Sequence, residues 1–531
     1  MKKSNQNLAF GKTKDEYFNF TLIEKYFRNK DNSEAFQVIS DKTCNDLDLQ
    51  EVFMFLDRTN SKVGQQFLYN KLRAIPNDSV KNELFEQIIQ RFIDNEEFRS
   101  KTQKQLSKLS NDSAYYISSL FQEEHLKQPK WFFIAPMLSF ASLISLLLLL
   151  FNTKLLFIVL PLFIINMVVH FWNKRNLNIY ALSFPQLLKI KNIASLFYKD
   201  SLFKSINPQL PESIAILNQV RNRMLLFQME GKIKGDIQIF IWYGVEIIKI
   251  CLLLEPILLF AVLRRINTKR KAIEAVYTFV GQIDALYSVA SLRTGLETYC
   301  LPKIGNHKIQ VKNIYHPLIN NCITNSLDTL NKSILLTGSN MSGKTTFIRS
   351  VGINMIMGLT LNTCFAKSMQ MPKCKVYSAI RISDDLLNDK SYYFEEVITI
   401  KKMIDKSTTD LPCLFLLDEI FKGTNTVERI SAAKAILSSL ATNNNIVFVS
   451  THDIELTDML TDTYELYHFS EIVNNNNVDF DYKLKEGRLK KRNAIRILQL
   501  NDYPQNIINE AINIAQKLDA QKQVNPSLEK V

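Results

Sequence analysis

The sequence predicts a long helical region interrupted by an apolar helical hairpin, followed by an α/β domain. Three observations carry that reading. Before residue 300, apolar residues recur at the three-to-four spacing of amphipathic helices. Within 131–172, two runs without a charged side chain flank the short turn Asn152-Thr153-Lys154. From about 305, short apolar runs alternate with helical patterns, and one of them breaks into a glycine-punctuated loop.

That loop is Ser333-Ile-Leu-Leu-Thr-Gly-Ser-Asn-Met-Ser-Gly-Lys-Thr-Thr346. Gly338, four residues, then Gly343-Lys344-Thr345 is the spacing of a phosphate loop. Gly338 and Gly343 let the N–H groups of Ser339, Asn340, Met341, Ser342 and Thr346 curl around phosphate oxygens. Lys344 is placed to neutralise β/γ charge, and Thr345 to offer a hydroxyl to Mg²⁺. Phe347 to Leu361 reads as a helix whose positive N-terminal end faces the phosphates.

The chain has 531 residues, room for two to four domains, with 46% hydrophobic and 22% charged residues, so most of it should fold. Its formal charge of +13 suits phosphate-bearing partners, nucleic acid or anionic lipid, and a Lys- and Asn-rich composition produces the same excess. Seven cysteines (44, 251, 300, 322, 364, 374, 413) lie scattered without a CxxC pair, which argues for reduced thiols in a cytosolic compartment and against a zinc site. Behind Lys2 and Lys3 there is no apolar run, so no cleavable signal peptide is expected.

Taken in order, residues 1–44 read as a polar lead-in with aromatic punctuation. Residues 45–126 read as the first part of a helical core domain, with a turn at Pro76-Asn77-Asp78 and helices over Val80–Ile93 and Glu96–Leu109. Residues 127–175 then change character. Trp131–Phe151 is 21 residues without a charge, and at about 1.5 Å per residue it spans roughly 31 Å, enough for a hydrocarbon core. Leu155–Trp172 returns, with Lys127 and Lys130 before the pair, Lys174-Arg175 after it, and Trp131 and Trp172 at its same-side ends. The positive-inside rule places both ends on the cytoplasmic side. The expectation is an integral protein of the cytoplasmic membrane, contacting lipid through 131–172; the soluble alternative is a hairpin buried between helical domains.

Residues 176–304 read as the second part of the helical core, acting as levers. Its stretch Ile237–Leu263 is apolar but carries Glu246, Lys249 and Glu255. Two readings stand: core helices with Glu246 and Lys249 paired at i,i+3, or a second membrane passage. Lys271–Leu292 is a further long helix, with Gly295 as its stop. The α/β domain is expected over 305–500. In it Asn474–Asn477 reads as the turn of a strand hairpin. A closing helix from Pro504 and a solvated tail fill 501–531.

Downstream of the loop, Cys413-Leu-Phe-Leu-Leu-Asp418-Glu419 reads as a buried strand ending in two carboxylates. Asp418 is placed to hold the Mg²⁺ shell and Glu419 to polarise an attacking water. Ile446-Val-Phe-Val-Ser-Thr-His452 is a second such strand, whose terminal His452 is either a γ-phosphate sensor or a structural histidine.

These motifs resemble those of the MutS family of DNA mismatch-repair ATPases. The loop Thr337–Arg349, with Asn340-Met341 inside it, is similar to that family's phosphate loop, Asp418–Thr426 to its Walker B segment, and Ser450-Thr-His452 to its switch histidine. The resemblance extends to Asp384-Asp385 and Ser391–Glu396, which implies that Ser391 reaches the partner subunit's γ-phosphate. It implies that His316 and Ile323 lie near the adenine, and that Tyr482–Gly487 and the helix after Pro504 form a closing hairpin and a dimerisation element. The words at 46–75 resemble the opening of the family's helical core. The implied architecture is an α/β P-loop ATPase domain of the ABC type, preceded by an all-α core and lever domain that a transmembrane hairpin interrupts. The implied chemistry is ATP hydrolysis with Mg²⁺ in a composite homodimer site, driving clamp motion on double-stranded DNA.

The chain departs from the pattern in two places. No mismatch-reading domain fits in the first 44 residues, and the Phe121-Gln122-Glu123 that matches the reader's letters falls in the helical core. No strand-rich DNA clamp is visible, and the hairpin sits where one would be inserted. Mismatch recognition is therefore not expected. An alternative reading is a membrane-bound ATPase motor or scaffold that does not act on DNA. A transporter would need more passages and a Leu-Ser-Gly-Gly signature.

Overall fold

The computed structural model describes residues 9–77, 82–224, 236–305, 308–329, 332–339, 341–381, 392–409, 411–421, 424–473, 478–489, 495, 498–499 and 503–524. The chain forms two compact units: Met1–Ala35 with Leu56–Leu296, and Phe36–Phe55 with Glu297–Val531.

The first unit is helical, and its spine is Arg270–Gly295, in which 19 of 26 residues are buried. Lys62–Arg73, Asn82–Asp94, Ser183–Phe197 and Leu210–Met224 pack around it. A spine so enclosed must satisfy its polar groups locally. Asp284, fully buried, accepts from the Asn60 N–H (2.9 Å), the Ser61 N–H (2.8 Å) and the Ser61 hydroxyl (2.5 Å). Ser61 in turn caps Lys62–Arg73, accepting from the Gly64 N–H at 2.9 Å. The start of one helix is thereby fixed to the middle of another. A Cβ at Gly64 would overlap the Asp284 carboxylate, so glycine is required here for space rather than for backbone freedom.

Two helical segments of this unit, Lys130–Leu149 and Thr153–Lys174, are long and apolar enough to cross a membrane. Only 22% and 11% of their most apolar windows are buried, which distinguishes them from the spine. The Trp131 and Trp172 rings lie 5.0 Å apart at the open end of the hairpin. The stretch 237–263 is broken at Leu253, whose φ is +45°, into helices Asp236–Cys251 and Leu254–Thr268. Glu246 and Lys249 pair at 3.3 Å.

The second unit is built on a six-stranded sheet in the order Lys485–Glu486, Tyr464–His468, Ser333–Thr337, Ile446–Ser450, Cys413–Asp418, Lys375–Ala379. All neighbours are parallel except the first pair. The central strands read as continuous apolar runs because both faces are covered, as parallel sheets require. A four-stranded sheet of Lys303–Ile304, Ser368–Met371, Gln310–Ile314 and Asn325–Asp328 lies in the same unit. Glu471–Val473 and Val478–Phe480 pair antiparallel; the asparagines between them fall outside the described residues.

Residues 36–55, which the sequence words at 46–75 joined to the helical core, pack with this second unit. The Gln37 amide exchanges two 2.7 Å hydrogen bonds with the Val376 backbone, supplying partners to the sheet's edge strand. Asp46, buried, accepts from the Ser378 hydroxyl and the N–H groups of Ile380 and Arg381. Those polar ties decide which unit the segment joins.

Gly64→Ala is expected to destabilise the helical unit by about 1–3 kcal/mol, the usual cost of overpacking a closed site. Thermal unfolding of the purified protein followed by circular dichroism checks this. An unchanged midpoint would mean that the Ser61–Asp284 junction does not hold the two helices.

Candidate functional site

The strand Ser333–Thr337 delivers the chain to the carboxyl edge of the sheet, where Gly338 (φ +149°) and Gly343 (φ +107°) turn it into helix Lys344–Leu361. A Cβ at Gly338 would stand 2.7 Å from the Phe469 carbonyl oxygen and 2.9 Å from the Ser342 hydroxyl, so only glycine fits. Met341, between them, is held at φ +67° with its side chain 82% exposed. Lys344 Nζ arches over the loop and donates to the carbonyls of Gly338 and Ser339, both at 2.8 Å. The Ser339 hydroxyl donates to the Glu471 carboxylate at 2.7 Å.

Register brings the other strands to the same edge. Ser450 lies opposite both Leu336 and Asp418. The Asp418 carboxylate is therefore met from two sides, by the Thr345 hydroxyl at 2.9 Å and by the Ser450 hydroxyl. This cluster of hard oxygen donors suits Mg²⁺. Immediately after the strand, Glu419 (φ +53°) and Phe421 (φ +61°) occupy the left-handed region, strain of a kind that collects at functional sites. The Glu419 N–H donates to the Ser450 carbonyl at 3.0 Å, and its carboxylate meets His452 Nε2 at 2.8 Å. Phe421 is held by a 2.6 Å bond from its N–H to the buried carboxylate of Glu396.

A cavity of about 500 Å³ opens beside the loop. Its lining combines the loop residues Ser339 and Met341 to Phe347 and the carboxylate of Glu419 with the aromatic and aliphatic side chains of Tyr315, Ile319, Ile323, Phe469 and Tyr482. The volume fits a small-molecule site, and a lining of loop amides and polar groups together with aromatic and aliphatic side chains suits a nucleotide's phosphates and base. The amide-lined loop and the Thr345–Asp418 pair fit ATP with its Mg²⁺.

The sheet edge thus gathers Gly338, Ser339, Met341, Ser342, Gly343, Lys344, Thr345, Thr346, Asp418, Glu419 and His452, and Ile323 lines the same cavity. Asn340 and Ser391 fall outside the described residues. Although its chain neighbour Tyr315 lines the cavity, His316 is not among the residues that do. It is buried, and its Nδ1 accepts the Leu318 N–H at 3.3 Å. Burial, and then the Arg349 guanidinium, push its imidazole down to about 4, against the pull of Asp48. Phe469 and Glu471 carried no assigned role in the sequence, while Tyr482 stood there only in the closing hairpin and Ser450 only in the switch-histidine segment. Of these only Ser450 had a signal, as the last residue of a strand destined to neighbour Asp418.

The family comparison can be set on this geometry. Residues 334–519 match MutS domain V. This chain carries the MutS family's ATPase domain. Related proteins include the DNA mismatch repair protein MutS of Fusobacterium nucleatum, 29% identical over 269 residues, which are 46% of this chain and 30% of that protein. Those of Oceanobacillus iheyensis (28% over 277 residues, 49% of this chain and 31% of that one) and Listeria monocytogenes serotype 4a (30% over 258, 45% and 29%) are similar. The chain spans about 30% of the length of these relatives. The described loop, cavity and carboxylate pair all fall within the MutS domain V or in the strands leading into it.

His316 gives the second unit a pH signature. Unfolded, the imidazole titrates near 6.5; folded, it stays neutral down to about 4. Its contribution is therefore fully present above about 6.5 and lost as pH falls toward 4. At pH 5 the loss is about 2 kcal/mol relative to pH 8. His316→Asn keeps an acceptor for the Leu318 N–H but cannot titrate, so the variant is expected to unfold at a higher temperature than the parent at pH 5 and not at pH 8. Equal midpoints at both pH values would place the histidine in solvent.

Proposed function

We propose that this chain is a membrane-anchored, MutS-type ATPase that works as a homodimer, using ATP hydrolysis to drive clamp motion on double-stranded DNA. The observation that carries it is the junction at the sheet edge, where Thr345 meets Asp418 and Glu419 meets His452 beside the phosphate loop. Lys344 balances charge on the β and γ phosphates, while the loop amides bind their oxygens. Thr345 and Asp418 are the residues that would hold Mg²⁺, which when bound draws charge off the β/γ oxygens. Glu419 orients water for in-line attack on the γ-phosphorus and accepts its proton as the bond to the β-phosphate oxygen breaks. His452 steadies Glu419, and Ser391 completes the partner's site. Tyr315, Ile323 and Tyr482 enclose the base.

Membrane anchoring is supported by the two apolar helices, mostly exposed and bounded by Trp131, Trp172 and lysines. The helical unit would act as levers between nucleotide state and clamp. Duplex binding is supported by the charge of +13 and by relatives named for DNA mismatch repair. Those relatives share with this chain a stretch of about 30% of their length, so the proposal takes over clamp motion and not mismatch recognition.

Glu419→Gln is expected to lower kcat for ATP about 10²-fold or more while nucleotide still binds, since the amide cannot take the proton. Turnover and binding of a fluorescent ATP analogue, measured side by side, check this; unchanged turnover would remove Glu419 from the chemistry.

Turnover by the detergent-solubilised protein with duplex, mismatched and branched DNA, across a salt series, tests the DNA role. The expected result is altered turnover with binding that weakens linearly in log salt. Turnover indifferent to every DNA would transfer the ATPase to membrane or protein partners.

A further inference from the structure

The apolar stretch 237–263, with charges set inside it, has no part in the reading above. Its two helices, Asp236–Cys251 and Leu254–Thr268, pack against the returning helix of the hairpin. We infer that they form a re-entrant pair that enters the cytoplasmic leaflet beside the hairpin and leaves by the same face, so that lipid acyl chains cover Ile247 and Ile248. The inference rests on the hairpin being a membrane anchor.

Depth is the first argument. At the apex, the Leu252 carbonyl accepts from the Ser139 hydroxyl at 2.7 Å, and the Cys251 carbonyl from Asn166 Nδ2 at 2.8 Å. Ser139 lies eight residues beyond Trp131, and Asn166 six before Trp172. At about 1.5 Å per residue these place the apex roughly 12 Å and 9 Å below the paired tryptophans. Half of a hydrocarbon core is about 15 Å, so the apex stays within one leaflet.

Backbone satisfaction is the second. The carbonyls that end a helix lack partners within it, and inside a bilayer no water supplies them. Ser139 and Asn166, polar residues otherwise out of place in apolar runs, do so here. On the other side of the turn, Pro256 in the first turn of Leu254–Thr268 has no N–H to satisfy.

The third is the placement of charge. Glu246 meets Lys174 at 2.6 Å and Lys249 at 3.3 Å; Glu255 meets Lys249 at 2.8 Å; His170 Nε2 lies 3.2 Å and 3.7 Å from the two carboxylates. Two acids and two lysines cancel, and they cancel inward, so no bare charge faces lipid. The opposite face of the first helix presents Ile247 and Ile248, 51% and 53% exposed. Tyr243, also exposed, lies about two turns above the apex, near the tryptophan level. Arg264 and Arg265, exposed, lie some 18 Å up the second helix from the apex, where phosphate headgroups begin.

The test uses single cysteines in the full chain with its seven native cysteines changed to serine, in sealed vesicles whose ATPase face is outward, with a membrane-impermeant maleimide. Leu196→Cys, at an exposed position of helix Ser183–Phe197 in the same unit, reports the open face. Lys154→Cys, at the hairpin tip, reports the anchor. The expected result is prompt reaction at 196, reaction at 154 only once vesicles are opened, and reaction at Ile248→Cys at least about tenfold slower than at 196 until denaturing detergent is added. If 248 reacts as fast as 196 while 154 stays protected, the re-entrant pair is wrong and the anchor stands. If 248 reacts on opening the vesicles without denaturant, the segment crosses and the pair is equally wrong. Reaction at 154 in sealed vesicles removes the anchor and the pair together. Should the cysteine-free chain not fold, Ile248→Trp with Trp131, Trp172 and Trp242 changed to phenylalanine decides the same point: acyl-brominated lipids are expected to quench it, and absence of quenching overturns the inference.

Discussion

The site depends on one constraint, the parallel register of Ser333–Thr337, Ile446–Ser450 and Cys413–Asp418. All three strands are buried on both faces, so neither face can be exchanged for solvent and their lateral order is held by packing. Because they run the same way, they end together. The last residue of one is Asp418, of another Ser450, and the third runs straight into the loop that carries Lys344 and Thr345. Side chains more than 70 residues apart thereby share one carboxylate. The glycines, the left-handed Glu419 and the 2.6 Å bond from Phe421 to Glu396 are local adjustments that aim groups already delivered by the sheet.

The two units share a way of burying charge. Each sets buried carboxylates where donors are ready for them. Asp284 lies under four donors in the helical spine, Asp46 under four at the sheet edge, and Glu246 and Glu255 between two lysines and a histidine. An unpaired buried carboxylate would cost several kcal/mol, so such contacts specify geometry as much as they add stability. The same rule separates the hairpin from the spine. Their sequences are both apolar, yet the spine is covered by its own unit and the hairpin's apolar side chains face outward.

The sequence by itself determined the order of the parts: helical region, apolar hairpin, then the α/β domain. It also determined the local form of the loop, because Gly338 and Gly343 are the only residue type that fits those backbone angles and spaces. Periodicity and length suffice for such features, since each is written in neighbouring residues. Tertiary structure alone decided that Gln37 and Asp46 complete the edge of a sheet more than 300 residues away, and that Ser450 rather than a residue nearer in the chain meets Asp418. It decided that His316 is buried rather than lining the cavity and that Leu253 folds an apolar stretch back on itself beside Asn166. Nothing local marks these choices. They follow from which strands become neighbours and which buried polar atoms find one another, and that is settled only when the whole core closes.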